Sequence, residues 1–139
     1  MRDSRLDKLA DVLVNYSCRV QKGEKVLIEA RNVGHELVCP LVEKIYEAGG
    51  MPFVNLYENR VTRTINMGMT EELAKTMARF DSMKMNEMDA YIGIRGGNNA
   101  FELSDVPSKQ MAIFDKEYNH PVHHGIRVKK TKWVVLRYP

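Results

Sequence analysis

The sequence contains one cluster of side chains with metal-ligand chemistry, in the stretch around residue 120. The cluster consists of Asp115, Glu117, His120, His123 and His124, and imidazole and carboxylate groups are ordinary zinc ligands. Its spacing does not match HExxH, which places two histidines on one helical face, and Pro121 should interrupt a helix between these histidines. The pair His35-Glu36 also lacks a second histidine. The pattern therefore favours a polar loop, and no metal ion is expected in this chain.

The segment Gly93-Ile-Arg-Gly96-Gly97 is a second candidate, because glycine-rich loops can hold phosphate groups. It lacks both the GxGxxG and the GxxxxGK[ST] spacing, and Gly93 falls within an apolar strand pattern instead of after it. The sequence also has neither GxSxG nor a plausible Cys/His pair for nucleophilic hydrolysis. Motifs alone therefore support neither a dinucleotide site nor a catalytic centre.

The most polar loop of the chain lies between residues 95 and 105. Its candidates for contact with a peptide or an anion, through charge-assisted or amide hydrogen bonds, are Arg95, Asn98, Asn99, Ser104 and Asp105. The same side chains could instead bond to the backbone of their own loop and cap the helix that begins at Ser108. Both interpretations stay open at this point.

Composition and charge describe an ordinary globular domain. Of the 139 residues, 28% are charged and 44% hydrophobic, and the formal charge of +3 is too small for a dedicated nucleic-acid binder. No stretch approaches the roughly 18 apolar residues of a membrane span, and the first residues predict an amphipathic helix, not a signal peptide. We therefore expect a cytoplasmic protein that binds neither nucleic acid nor membranes.

Two smaller groups of residues have plain structural interpretations. The basic residues Arg127, Lys129, Lys130 and Lys132 are interpreted as a solvated approach to a strand. Cys18 and Cys39, the only cysteines, lie among apolar residues of helical segments without metal-ligand spacing. They are expected to be reduced, buried thiols.

Alternating strand and helix patterns must position the candidates. Short apolar runs predict strands at 25–30, 52–57, 89–95 and 131–136, and three- to four-residue periodicity predicts helices over 3–19, 34–48, after Thr70 and over 108–118. This alternation predicts an α/β fold: a single domain over 1–139 with an open, mainly parallel four-stranded sheet and helices on both faces, flavodoxin- or Rossmann-like. Ligands of such sheets bind beyond the carboxyl ends of the strands, in loops 30–34, 58–66 and 95–105 and in whatever follows Pro139.

Helix boundaries are also predicted. Ser4 and Asp7 are placed as a capping pair for the first helix. Pro40 requires the second helix either to kink near Glu36 or to begin close to Pro40. Thr70 is expected to cap a methionine-rich helix, in which Leu73, Met77 and Phe80 share one face.

The order of segments resembles the N-terminal domain of the thermophilic-type metalloaminopeptidases, the family that contains aminopeptidases T and S. The resemblance rests on Val14-Asn-Tyr-Ser17 with Val20, Gly23-Glu24 and Val26, Glu47-Ala-Gly49, Met88-Asp-Ala-Tyr-Ile-Gly-Ile-Arg-Gly96, Leu103-Ser-Asp-Val106, Trp133 and Arg137-Tyr-Pro139. These pieces span nearly the whole chain in the expected order.

The resemblance implies a parent enzyme that removes N-terminal residues from peptides with two divalent metal ions, zinc, cobalt or magnesium. The ions would activate water and polarise the scissile carbonyl. In similar proteins the ligands belong to a C-terminal domain, so no metal ligand or catalytic base is carried over to this chain. The chain is then expected to be an inactive first domain that forms part of the substrate cleft in a homodimeric parent.

Two other interpretations stay open. The chain could be a freestanding flavodoxin-like module that binds a small anion or nucleotide at loop 95–105. It could also have a purely structural role, with the methionine-rich helix packing on a partner. The fourth predicted strand runs directly into Arg137-Tyr-Pro139 without a closing helix, and this favours the first domain of a longer enzyme.

Overall fold

The computed structural model describes residues 3–97 and 104–138. Its centre is a parallel sheet of four strands, β1 (Lys25–Arg31), β2 (Met51–Tyr57), β3 (Ala90–Gly96) and β4 (Lys132–Tyr138), in the order β2-β1-β3-β4. The register aligns Glu29 with Asn55 on one side and with Gly93 on the other. The predicted α/β fold with an open parallel sheet is confirmed.

The helices cover both faces of the sheet. They are α1 (Ser4–Asp11), which continues as a π-helical stretch Val12–Ser17, α2 (His35–Glu47), α3 (Asn59–Met67), α4 (Glu71–Asn86) and α5 (Ser108–Phe114). Helix α5 continues as a π-helical segment, Asp115–Arg127, and then as the short α6 (Val128–Lys130). All four strands have their carboxyl ends at one edge, where loops are free to build a site.

The first face of the sheet is apolar. Alternate side chains of the two central strands, including Val26, Ile28 and Ile92, are fully buried there. They pack against Leu13 of the first helix and Leu41 of α2. Because apolar burial supplies most of the driving force for folding, this layer is the main source of stability.

The second face carries a mixed layer. Near the amino ends of the strands, Leu27 and Tyr91 pack with Met85 of α4 and Ile126 of the π-helical segment. Toward the carboxyl ends the side chains on this face become polar, beginning with Glu29. The second face is therefore the one that can hold a polar site.

Residues 58–66, expected to be a loop, form most of helix α3. Val61 and Ile65 lie four residues apart, as on one helical face, but they stay more than 40% exposed. The helix is instead fixed by polar contacts: the backbone N–H of Asn59 donates to Oδ1 of Asn32 at 2.8 Å. A search for apolar periodicity misses such an element.

Both prolines that were expected to limit helices lie within helical segments. Helix α2 begins at His35 and contains Pro40. The helix predicted over 34–48 is therefore found, and of the two alternatives for its start the one close to Pro40 is wrong. Pro121 lies inside the helical segment Asp115–Arg127, so the polar loop expected around the histidines is a helix. Pro121 has no backbone N–H to donate, yet the segment stays helical through it to Arg127.

Helix capping is partly as expected. Thr70 Oγ1 accepts a hydrogen bond from the N–H of Leu73 at 3.1 Å and caps α4. Helix α1 is capped by Asp3, whose Oδ1 accepts from the N–H of Arg5 at 2.8 Å, and not by Ser4. The short Asp3 side chain precedes the first turn by one residue, where a cap must lie.

The buried face of helix α4 consists mainly of small side chains. Ala74 and Ala78 are buried with Met85, whereas Leu73 and Phe80 are 38% and 61% exposed. The face expected from Leu73, Met77 and Phe80 is therefore largely exposed. Small side chains let this helix approach its neighbours closely, and a count of large apolar residues misses that.

The two cysteines differ in their exposure to solvent. Cys18 is buried, but Cys39 is exposed, so only the first of the two expected buried thiols is found. Burial raises the pKa of the Cys18 thiol to about 11. Among the described residues, no helix is long and apolar enough to cross a membrane.

Candidate functional site

The strand order reverses between β1 and β3, because the chain passes from β1 outward to β2 and then returns to β3. In open parallel sheets this reversal opens a crevice at the carboxyl ends of the two strands. The loops that follow β1 and β3 are in close contact, since a Cβ on Gly96 would lie 2.5 Å from the backbone oxygen of Asn32. Asn32 itself has a positive φ of 53°, a conformation that asparagine tolerates.

A buried carboxylate lies at the centre of the second face. Glu29 of β1 is 9% exposed, although it belongs to an otherwise apolar central strand. Its Oε1 accepts from the hydroxyl of Tyr91 at 2.8 Å, and its Oε2 accepts from the hydroxyl of Tyr57 at 3.0 Å. Asn55 approaches the same Oε2 at 3.5 Å. Neighbouring strands thus supply partners to both oxygens.

Arg127 completes this buried network from the π-helical segment. Its Nη2 lies 2.7 Å from Oε1 of Glu29, and its guanidinium lies 4.9 Å from the ring centroid of Tyr91. Burial alone lowers the pKa of Arg127, but the Glu29 carboxylate and the hydroxyls of Tyr91 and Tyr118 outweigh it and keep that pKa above its usual value. Arg127 therefore balances the Glu29 carboxylate, and the expected solvated approach to a strand is wrong for this residue.

The tyrosines of the network keep their protons. Burial, together with the nearby Glu29 carboxylate, raises the pKa of the Tyr57 and Tyr91 hydroxyls. Burial and a hydrogen bond to Asp81 raise the pKa of Tyr118. These hydroxyls therefore act as hydrogen-bond donors, and they close the network on the side of α4.

A cavity of about 370 Å³ opens beside this network, toward the carboxyl ends of β1 and β3. Its walls come from the sheet, α3 and the helix from Met111 to Arg127. The charged side chains that line it are Glu29, Arg31, Arg95, Asp115 and Arg127. Its volume is in the range of small-molecule sites, at the lower end.

Three polar atoms on residues that line this cavity are buried without a hydrogen-bond partner. They are Oδ1 of Asn66, Nδ1 of His123 and Nε of Arg127. Asn66 is 1% exposed, and its amide nitrogen donates to the backbone oxygen of Thr62 at 3.0 Å, which fixes the orientation of the amide. Buried polar groups in proteins are rarely left unpaired.

The field in the cavity is positive. Burial, together with the cations Arg127 and Arg95, lowers the pKa of His123 to about 4. His123 is therefore neutral at pH 7, so one ring nitrogen donates a hydrogen bond and the other accepts one. Such a field suits an anion better than a cation.

The structure describes three of the five predicted site residues, Arg95, Ser104 and Asp105, and of these three only Arg95 lines the cavity. Arg95 lines it, whereas Asp105 pairs with Arg63 of α3, with Nε to Oδ1 at 2.9 Å. Ser104 is exposed in a turn and does not line the cavity. Asn98 and Asn99 lie outside the described residues. Contact of these five residues with a ligand stays a prediction.

Sequence reasoning missed Glu29 and Arg127, the two residues at the centre of the network. A usable signal exists for Glu29, since a carboxylate inside the apolar run Lys25–Arg31 must find a partner when buried. No equivalent signal marks Arg127, because it stands in a run of basic residues. The contact between them depends on the fold.

The histidine-containing segment does not form a metal site. Among residues 3–97 and 104–138, no group of three or more His, Cys, Asp or Glu side chains is arranged to hold a metal ion. The His123 ring packs edge-on against Tyr91 and against His124. The described residues therefore do not fit a metal ion.

Comparison with known proteins gives a family and a fold. The family model described as thermophilic metalloprotease (M29) matches residues 2–139 of this chain. Wild-type AmpT from Thermus thermophilus is similar in structure, with a TM-score of 0.75 and 19% sequence identity, over 98% of this chain and 36% of that chain. This likeness supports the fold, and the chain spans 36% of the length of AmpT.

Two further comparisons gave one weak structural match and no match among curated proteins. VinN matches with a TM-score of 0.39 and 11% identity, over 82% of this chain and 27% of that chain. A search of curated proteins found no match.

Proposed function

The chain belongs to the M29 family of thermophilic metalloproteases, and from this premise we propose that it is the N-terminal, non-catalytic domain of a metal-dependent aminopeptidase. The parent enzyme removes N-terminal residues from peptides. The observation that carries the proposal is the family match over residues 2–139, in a chain that spans 36% of AmpT.

The proposal assigns the metal chemistry to the rest of the parent enzyme. Two divalent ions, zinc, cobalt or magnesium, would activate water and polarise the scissile carbonyl there. The described residues of this chain do not fit such ions, so no step of the reaction is assigned to them.

The role proposed for this domain is to form part of the substrate cleft and of the subunit architecture. Arg95 supports a cleft role, because it is exposed at the carboxyl end of β3, where open parallel sheets bind ligands. Asn98, Asn99, Ser104 and Asp105 complete the proposed cleft edge. The same proposal includes a homodimeric, cytoplasmic parent that binds neither nucleic acid nor membranes.

The proposal is tested by the gene and by an assay. The reading frame is expected to continue beyond the codon for Pro139 into a region rich in Glu, His and Asp ligands. The 139-residue chain, with added zinc, cobalt or magnesium, should cleave an aminoacyl p-nitroanilide no faster than a metal-only blank, with AmpT as the positive control.

Either of two results contradicts the proposal. A stop codon directly after Pro139 would leave the aminopeptidase without a metal-binding part. Cleavage by the purified chain above the blank, abolished by a chelator, would place the active site in this chain.

A further inference from the structure

We propose that the cavity between the sheet and the helices α3 and α5 with its π-helical continuation is a binding site for a small oxyanion, a phosphate or a carboxylate. Arg31 and Arg95 would supply the charge, and Asn66 and His123 the additional hydrogen bonds. The proposal does not depend on the aminopeptidase assignment, because it uses only groups inside this chain.

Two cations that line the cavity, Arg31 and Arg95, have no carboxylate partner among residues 3–97 and 104–138. The guanidinium of Arg127 is paired with Glu29, so these two charges offset each other. Arg31 of β1 makes a hydrogen bond from Nη1 to Oγ1 of Thr62 at 2.7 Å and stacks on the ring of Tyr57, with no carboxylate among its described partners. It therefore has further donors to offer.

Arg95 is the second cation. The register places it directly beside Arg31 on the neighbouring strand, and both line the cavity. Among the described residues it forms no ion pair. Both side chains start from aligned positions at the carboxyl ends of neighbouring strands, and planar guanidinium forks match phosphate and carboxylate groups. Among the described residues, the carboxylates that line the cavity belong to Glu29 and to Asp115, an exposed residue at the start of the π-helical segment.

Three polar atoms on residues that line the cavity are buried and have no hydrogen-bond partner among the described residues: Oδ1 of Asn66, Nδ1 of His123 and Nε of Arg127. Leaving a buried polar group unpaired is unfavourable. These atoms are therefore candidates for hydrogen bonds with a ligand of this cavity.

Gly93 lies in the cavity wall next to Glu29 in the register, and a Cβ there would come within 3.0 Å of the Tyr91 ring. Glycine at this point of a central strand lets the backbone and the Tyr91 ring approach each other closely. The Tyr91 hydroxyl thereby reaches Oε1 of Glu29, and both groups stay in the wall of the cavity.

The donor on the ligand makes the proposal specific. Asn66 Oδ1 can only accept a hydrogen bond. Hydrogen phosphate carries a P–OH donor, and a free amino acid carries an ammonium group next to its carboxylate. We therefore expect inorganic phosphate or glycine to bind more tightly than acetate, which has a carboxylate but no donor.

The test is calorimetric titration of the 139-residue chain at low ionic strength with inorganic phosphate, glycine and acetate. Phosphate binding alone identifies a phosphate site, glycine binding alone identifies an amino-acid carboxylate site, and binding of both identifies a general oxyanion site. Absence of saturable binding up to about 20 mM overturns the proposal, as does tighter binding of acetate than of the other two.

Single substitutions test whether the anion binds in this cavity. Arg95→Gln and Arg31→Gln should each weaken it by roughly tenfold or more, as expected when a charged hydrogen bond is lost. The matched control is Arg137→Gln, because Arg137 is aligned with Arg95 on β4 and is exposed, but does not line the cavity. Equal weakening by all three variants would mean a general charge effect and would overturn the site.

A spectroscopic measurement keeps the proposal testable if a variant fails to fold. In NMR titrations of the unmodified chain, a bound anion should raise the pKa of His123 from about 4, because it offsets the positive field. The control is His35, an exposed residue at the start of α2 on the other face of the sheet. An unchanged His123 titration in saturating ligand would contradict the assignment.

Discussion

At the scale of single residues, the network around Glu29 contains a buried ion pair with Arg127. The side chains of Glu29 and Arg127 are 10% and 8% exposed, with 2.7 Å between Oε1 and Nη2. Two buried charges stabilise a fold little by themselves, since their desolvation offsets their attraction. The loss of one partner, however, leaves the other as an unpaired charge in a buried place.

We expect Arg127→Met to lower the free energy of unfolding by about 3–5 kcal/mol, the range for a broken buried ion pair. The double variant Glu29→Met/Arg127→Met should lose clearly less than the sum of the two single variants, because no unpaired charge is left. Urea denaturation followed by circular dichroism measures both quantities.

The control for this prediction is Lys75→Met, which removes the exposed pair between Lys75 and Glu71 on the surface of α4. Its effect should be much smaller, because solvent screens exposed ion pairs. Strictly additive effects at Glu29 and Arg127 would show that the two charges are not coupled.

At the scale of elements, helix α4 shows how a polar side chain fixes a boundary. Thr70 Oγ1 accepts from the N–H of Leu73 and satisfies a backbone donor that the helix leaves open. Within the same helix, Thr76 donates from its hydroxyl to the backbone oxygen of Glu72 at 2.8 Å. Thr70 lies at the N-cap and Thr76 lies inside the helix, so the two hydrogen bonds should contribute differently to the stability of the protein.

Thr70→Ala should destabilise the protein by about 1 kcal/mol, because an N-cap is lost. Thr76→Ala should be neutral or slightly stabilising, since alanine has the higher helix propensity and the carbonyl of Glu72 already belongs to the helix. Thermal unfolding of both variants distinguishes the effects. A larger loss for Thr76→Ala than for Thr70→Ala would contradict the capping role.

At the scale of the whole molecule, the thiols of Cys18 and Cys39 become accessible to solvent at different extents of unfolding. Cys18 is fully buried in the apolar layer of the first face, with its sulfur 3.8 Å from the backbone oxygen of Tyr91. Cys39 lies exposed on α2. Exposure of Cys18 therefore requires the first helical segment to leave the sheet, which approaches global unfolding.

In native buffer at pH 8, a thiol reagent such as DTNB should modify one cysteine quickly and the second only at the rate of unfolding. The raised pKa of Cys18, about 11, slows it further, since the thiolate is the reactive form. Cys39→Ser should abolish the fast phase, and Cys18→Ser should leave it unchanged. Two equally fast phases would show that α1 opens in the native state.

The parts of this architecture that follow from local pattern could be predicted from the sequence. Each strand lies within one or two residues of its predicted position, because a short apolar run between turn-forming residues is typical of a buried strand. Helix α3 could not be predicted in this way, since its exposed Val61 and Ile65 give no buried face and its start depends on Asn32.

The candidate site was less predictable than the fold. Arg95 was recognisable because it lies at the carboxyl end of a predicted strand. Arg127 was not, because its neighbours in the sequence are exposed lysines, and only the path of the π-helical segment carries it back to Glu29. Pairing across the sheet depends on tertiary structure, which overrides local composition.

The two faces of the central sheet have different roles. The apolar face, packed against α1 and α2, is a stable frame, and the opposite face forms a wall of the cavity. The apolar face that binds α1 and α2 contributes stability, and of the described residues in this layer only Ile94 also lines the cavity. A combinatorial library confined to the opposite wall, at positions such as Arg31, Asn66 and Met111, would sample new ligand preferences while the packing of the frame stays intact. The protein is in this respect a natural starting scaffold for engineered small-molecule receptors.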